Sequence, residues 1–207
     1  MVERQFSPDQ YPDALLRGDV LATAFRGLQA QLKAAFPDAV FAHHVLPPSP
    51  TPQLWKRVQE KQLSVALSMG SWMPDSKSGK VFRGSLTFYV FLLVSHGHMD
   101  QLYLGTSDRW GVGITGMSAM AVAMLNRQPV PGLDGGTFQV MGVKYPAGID
   151  WLDERTALAE IAVQIDGVSL SEGLLTHDLP EFLRLAETWT VNGSEQPEAT
   201  LNIRGDA

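Results

Sequence analysis

Apolar and polar positions along this chain fall into two periods. Val20 or Leu21, Phe25, Leu28, Leu32 and Phe36 recur every three or four residues, which lines one face of a helix over about 20–36. Asp13 or Asp19 is a candidate cap for its start, and Pro37 ends it. Val40–Leu46 reads as a strand, the Pro-rich run 47–52 as a stiff connector, and Leu54–Glu60 as a short helix. The period then drops to two. Leu63, Val65, Leu67 and Met69 alternate with Ser64, Ala66 and Ser68, the pattern of a half-buried strand. Leu86, Phe88, Val90, Leu92 and Val94 share one face of a second strand, whose far end is apolar on both faces and therefore central. Met73–Lys80 between them reads as an exposed hairpin loop.

Ile114, Met117, Met120, Ala121, Met124 and Leu125 mark a second helix, with small residues between them that let it lie close on a sheet. Pro129–Gly136 is a turn region. Phe138–Tyr145 is a strand whose phase slips near Gly142, the mark of a bulge. Ala157–Ile165 alternates again. Runs of adjacent strands predict an α+β fold: a mixed, mostly antiparallel sheet with helices packed on one face. The expected organisation is an N-terminal arm (1–13), one α+β domain (14–166) and a C-terminal appendage (167–207). In the appendage, Asp178-x-x-Glu181 resembles a capping box. Thr188–Val191 and Thr200–Ile203 suggest a terminal hairpin.

Composition narrows the function. The net charge is −6, and the basic groups Lys56-Arg57 with Lys61, and Lys77 with Lys80, are small, so direct nucleic-acid binding is not expected. The chain has no cysteine, which excludes a thiol nucleophile, thiolate-bound metal and disulfides, and fits a reducing, intracellular setting. The opening residues lack the basic-then-apolar pattern of a signal peptide. The apolar run Phe88–Val94 is too short to span a bilayer, so no membrane partner is expected.

Candidate chemistry is sparse. Gly111-Val112-Gly113-Ile114-Thr115-Gly116 spells G-x-G-x-x-G before a helix. In a dinucleotide site the first glycine turns directly off a strand. Here Thr106–Trp110 intervene, and Asp134, at the distance of a ribose carboxylate, sits in a Gly-rich turn. His43-His44 point to opposite faces of a strand, and His96-x-His98 looks like a turn, so solvated histidines are expected rather than a metal site. Asp153 and Glu154 read as solvated turn charges rather than an acid/base pair. No catalytic residue, cofactor or metal ligand is expected. Trp72, Met73, Trp110 and Trp151 sit at strand-to-loop junctions, where aromatic and Met side chains either serve an interface or cap the edge of a core. With Lys77 and Lys80 they form the candidate interface set.

From Leu15 to Ile165 the chain resembles the tail-terminator-like proteins of Mu-type contractile-tailed phages and prophages. The resemblance is carried by the opening amphipathic helix, the strand pair LSVALSM and GSLTFYVFLLV, the helix MSAMAVAMLNRQPVPGL, then TFQVMGVKYP and ERTALAEIAVQI. It implies a structural protein and not an enzyme. Such a protein forms a hexameric ring of its own copies, caps the tail tube, ends tail polymerisation and meets the tube or sheath and the neck proteins. It is made in the host cytoplasm and ends in the virion tail. The alternatives are a small ligand- or nucleotide-binding domain or enzyme using the Gly111–Gly116 loop, or another neck or baseplate component.

Overall fold

The computed structural model describes residues 13–79, 82–146 and 152–170, and the backbones of four short strands between 184 and 202. Its centre is a five-stranded sheet in the order β1-β2-β3-β5-β4. The strands are β1 (Ala42–Leu46), β2 (Leu63–Pro74), β3 (Arg83–Ser95), β4 (Gln139–Lys144) and β5 (Thr156–Ser169). β1 runs parallel to β2, and the other three pairings are antiparallel. The helices are α1 (Asp13–Leu16), α2 (Asp19–Ala35), α3 (Pro52–Gln59), α4 (Met99–Leu104) and α5 (Ile114–Leu125). The mixed, mostly antiparallel α+β class read from the sequence is the observed one.

Strand alternation divides the interior in two. Val65 and Leu67 of β2, Leu86–Val94 on even positions of β3, and Ala159, Ile161, Val163 and Ile165 of β5 face a main core closed by α2 and α5. Phe25 of α2 meets the ring of Phe88 edge-on, with centroids 6.1 Å apart. Gly27 lets α2 approach the Val130–Pro131 turn, since a Cβ there would stand 3.0 Å from the Pro131 carbonyl. The other face of the sheet carries a smaller cluster, Ala66, Leu93 and Leu158, under Trp55 and Val58 of α3. Trp55 and Phe91 rings meet at 5.0 Å. α2 and α5 thus cover one face as expected, and α3 adds a partial cover to the other. The cause is topological: a parallel pair needs a crossover, and the β1–β2 crossover contains α3. Ser64 and Ser68, buried on that second face, donate their hydroxyls to Val58 and Pro47 carbonyls at 2.8 and 3.1 Å, so neither is an unsatisfied polar group.

Local rules account for most boundaries. Thr51 caps α3 by accepting the Leu54 N–H, and Pro52 opens the helix where no intrahelical N–H is needed. The slip expected near Gly142 is a bulge between Val140 and Gly142, which leaves Met141 outside the pairing and exposed. Pro37 follows the α2 cap residue Phe36, as expected. The start of α2 is a correction: the cap is Gly18 in the left-handed region (φ 86°), with no side-chain cap from Asp13 or Asp19. Gly tolerates that backbone at no steric cost. β2 runs to Pro74 across a register shift between Met69 and Trp72, well past the expected end at Met69. β5 runs on to Ser169 and places Val168 in the main core.

Beyond β5, β6 (Arg184–Glu187) pairs with β9 (Ala199–Asn202), and β7 (Thr190–Val191) with β8 (Ser194–Glu195), all antiparallel. The expected terminal hairpin needs a correction in its pairing: Thr190–Val191 pairs with Ser194–Glu195 and Ala199–Asn202 pairs with Arg184–Glu187, so among the described residues the two predicted arms are not each other's partners. The capping-box segment around Asp178 lies outside the described residues.

Candidate interaction surface

The connection between α4 and α5 explains the glycine motif without a ligand. α4 ends at Gly105, whose φ of 80° favours glycine. The chain then loops so that Thr106 N–H donates to the Gly111 carbonyl at 2.6 Å, and Gly111 N–H to Asp108 at 3.0 Å. A Cβ on Gly113 would stand 2.4 Å from the Tyr103 carbonyl oxygen, and one on Gly105 2.1 Å from that of Gly111. These glycines let two backbone segments cross. Gly116, third of the motif, has 3.8 Å of clearance. The element before the motif is α4, not a strand, so the strand–turn–helix context of a dinucleotide site is not present. Asp134 falls in the 131–135 turn, as expected.

The histidines require a correction. His96 is not a solvated loop residue: it is 7% exposed. Gln62 Nε2 donates to its Nδ1 at 3.2 Å, and its Nε2 donates to the Val112 carbonyl at 3.3 Å, which suits the neutral ring protonated at Nε2. His43 and His44 do point to opposite faces of β1. His43 Nε2 donates to the Phe36 carbonyl at 2.6 Å. His44 Nε2 is buried with no hydrogen-bond partner among the described residues. Burial first, and the neighbouring His43 second, lower the His44 pKa below the usual 6.5, against an opposing pull from Glu60. His98 is exposed at the start of α4. Among the described residues no cluster of three His, Asp or Glu side chains is arranged to hold a metal.

The lowered His44 pKa has a pH consequence. Well above pH 6.5 the ring is neutral in folded and unfolded chains alike; as pH falls through 6.5, the unfolded chain takes up the proton first and folding weakens. Thermal melts from pH 7.5 to 5.5 are expected to show a smaller loss of stability in His44→Asn than in the wild type. Parallel pH curves would sink this assignment.

The candidate interface residues separate into two roles. Trp72 is half-buried against the main core; its indole N–H donates to the Val168 carbonyl at 3.3 Å and its ring meets Phe82 at 4.4 Å. It closes the core edge. Trp110 meets Phe41 edge-on at 6.0 Å and carries the Arg109 guanidinium over its ring at 5.6 Å, leaving it 38% exposed. Met73 and Lys77 are exposed on the β2–β3 hairpin. At its tip Lys77 N–H donates to Asp75 Oδ1 at 2.8 Å, and Asp75 pairs with Arg83 at 3.3 Å. Lys80 and Trp151 lie outside the described residues. Asp153 forms a turn, accepting the N–H groups of Arg155 and Thr156.

The sequence reading took the segment after His96 for a turn and so missed α4, which presents Met99, Tyr103 and Leu104 to solvent; Leu104 is 80% exposed. The signal available was Met99, Leu102 and Tyr103 at helical spacing. Further exposed apolar side chains sit on the two edge strands, Val45 on β1 (56%) and Met141 on β4 (57%). A polar cleft of about 490 Å³ lies beside β4, lined by Asn126, Arg127, Thr137, Gln139, Val140 and Met141. No described helix is long and apolar enough to cross a membrane.

No protein-family model matches the chain, and no curated protein matches it. Among solved structures, a chain from the virion of a native gene transfer agent particle shares 14% identity, covering 70% of this chain and 91% of its own, with a TM-score of 0.39. The mycobacterial sensor histidine kinase MprB shares 10%, covering 72% of this chain and 96% of its own, with a TM-score of 0.25. Likenesses this loose carry no weight on function. The fold and surface define an α+β domain with apolar side chains turned outward at both edges of its sheet.

Proposed function

We propose that this chain is a structural subunit of a phage or prophage tail: a tail-terminator-like protein that joins copies of itself in a ring, caps the tail tube and meets the neck. The observation that carries the reading is the placement of Val45 and Met141 on unlike edges of one sheet, both more than half exposed. Unlike surfaces meeting across copies give heterologous contacts, and these close into a ring when the rotation between neighbours permits. The sequence resemblance supplies the tail setting and the six-fold number. On this reading the protein has no catalytic site, binds no cofactor and makes no direct nucleic-acid contact; its partners are its own copies, the tube or sheath, and the neck proteins.

A tube grows by adding subunits to an end like the one before it, so ending growth needs a different protein that offers no matching surface. Lysates of cells lacking this protein are expected to contain headless tails of irregular, often excessive length by electron microscopy. Tails of normal length joined to heads would overturn the terminator role.

A further inference from the structure

Among the described residues, the five-stranded sheet has one blunted edge and one open edge. On β4 the bulge at Met141 interrupts the edge, Asn126 Oδ1 accepts the Val140 N–H at 3.3 Å, and Lys144 ends the strand. These are devices that keep a sheet edge from pairing with another chain. β1 has none: its five residues, Ala42–Leu46, carry no Lys, Arg, Asp or Glu, it pairs with β2 without a bulge, and Val45 is exposed. Its outer row of backbone groups is a template for another strand.

Among the described residues, the chain's last four strands have one partner each. The β6–β9 and β7–β8 pairs are two-stranded, and neither belongs to the five-stranded sheet. An isolated two-stranded hairpin is marginal in water, and a third strand is what makes one persist. β9 (Ala199–Asn202) is as free of charge as β1. Around these two strands the charges are opposite. Lys56 and Arg57 are exposed on α3, the helix packed on β1, and Lys61 follows it. The hairpin sequence carries Glu187, Glu195 and Glu198 against a single Arg184.

We propose that β9 of one copy adds to the open β1 edge of a neighbouring copy, extending its sheet by the hairpin. Each copy then donates one hairpin and accepts one, a heterologous contact. The inference rests on the assembly reading only in taking the partner to be a second copy of this chain.

The absence of native cysteine makes the test clean. Val45→Cys is mixed with each of Ala199→Cys, Thr200→Cys, Leu201→Cys and Asn202→Cys in the full chain, under mild oxidation. The expected result is a disulfide-linked species at twice the 22.6 kDa chain mass, strongest at one β9 position and far weaker with Val45→Cys alone. No such species at any of the four positions would overturn the proposal. So would an exclusively internal disulfide in the double variant Val45→Cys/Leu201→Cys, which would put the hairpin on its own sheet. Native mass measurement of the unmodified protein separates this from the ring reading. Closed rings of the unmodified protein with no cross-link between the paired variants overturn the docking and leave the ring; open-ended multimers of the unmodified protein with the cross-link formed by the paired variants support the docking and count against a closed ring.

Discussion

Replacing Gly113 by Ala is expected to destabilise the protein by about 3 kcal/mol, the upper part of the range for forcing extra volume into a packed site. Its φ of −87° suits any residue, so the cost is steric. The atoms a Cβ would meet, the Tyr103 carbonyl and the Gly105 N–H, are backbone and have no rotamer to escape into. Gly116→Ala, three residues on and inside α5, should instead stabilise by up to about 1 kcal/mol, because Ala is the better helix former and the space is clear. Urea unfolding reads both as shifts of midpoint at constant slope. In a phosphate-cradling loop the third glycine also serves close packing, so this opposite pair of signs separates the two accounts of the motif. Equal behaviour of the two variants would falsify the chain-crossing account.

Phe88→Ala is expected to cost about 3–5 kcal/mol, the range for deleting a fully buried aromatic side chain. Phe88 is fully buried in β3, between β2 and β5, and faces Phe25 across the main core. Phe91→Ala, three residues along and half-buried under Trp55 on the other face, should cost less than half as much. Comparable losses would mean that the α3 cluster matters to stability as much as the main core does.

These two sites mark where sequence was sufficient and where it was not. The role of Phe88 was legible because period-two alternation in a strand with one buried face names the inward side directly. The glycine motif was legible as out of context, yet its physical cause was not: Tyr103 and Gly113 meet only after α4 forms, and that six-residue helix has too few turns to leave a clear period. His96 was misread for a related reason. Locally it ends a strand before Gly97, and its burial depends on Gln62 and Val112, distant along the chain. The sequence places Trp72 at a strand-to-loop junction, whereas it lies inside β2, paired with Leu86 beyond the register shift. Its task as a lid on the core rests on Val168, 96 residues away.

The sequence by itself determined the helix at about 20–36, the helix from Ile114, the four long strands, the bulge before Gly142 and the α+β class, because periodicity and turn chemistry act within one element. Tertiary structure alone decided what lies between elements. An amphipathic helix announces that it has an apolar face, not which side of a sheet receives it, so α3 was placed by the parallel β1–β2 crossover. Strand order is likewise invisible in a list of strands, and it is the order β1-β2-β3-β5-β4 that makes β1 an open edge and β4 a blunted one. The surface from which the assembly role is inferred exists only once that order is set, since an edge is a property of the sheet and not of the strand.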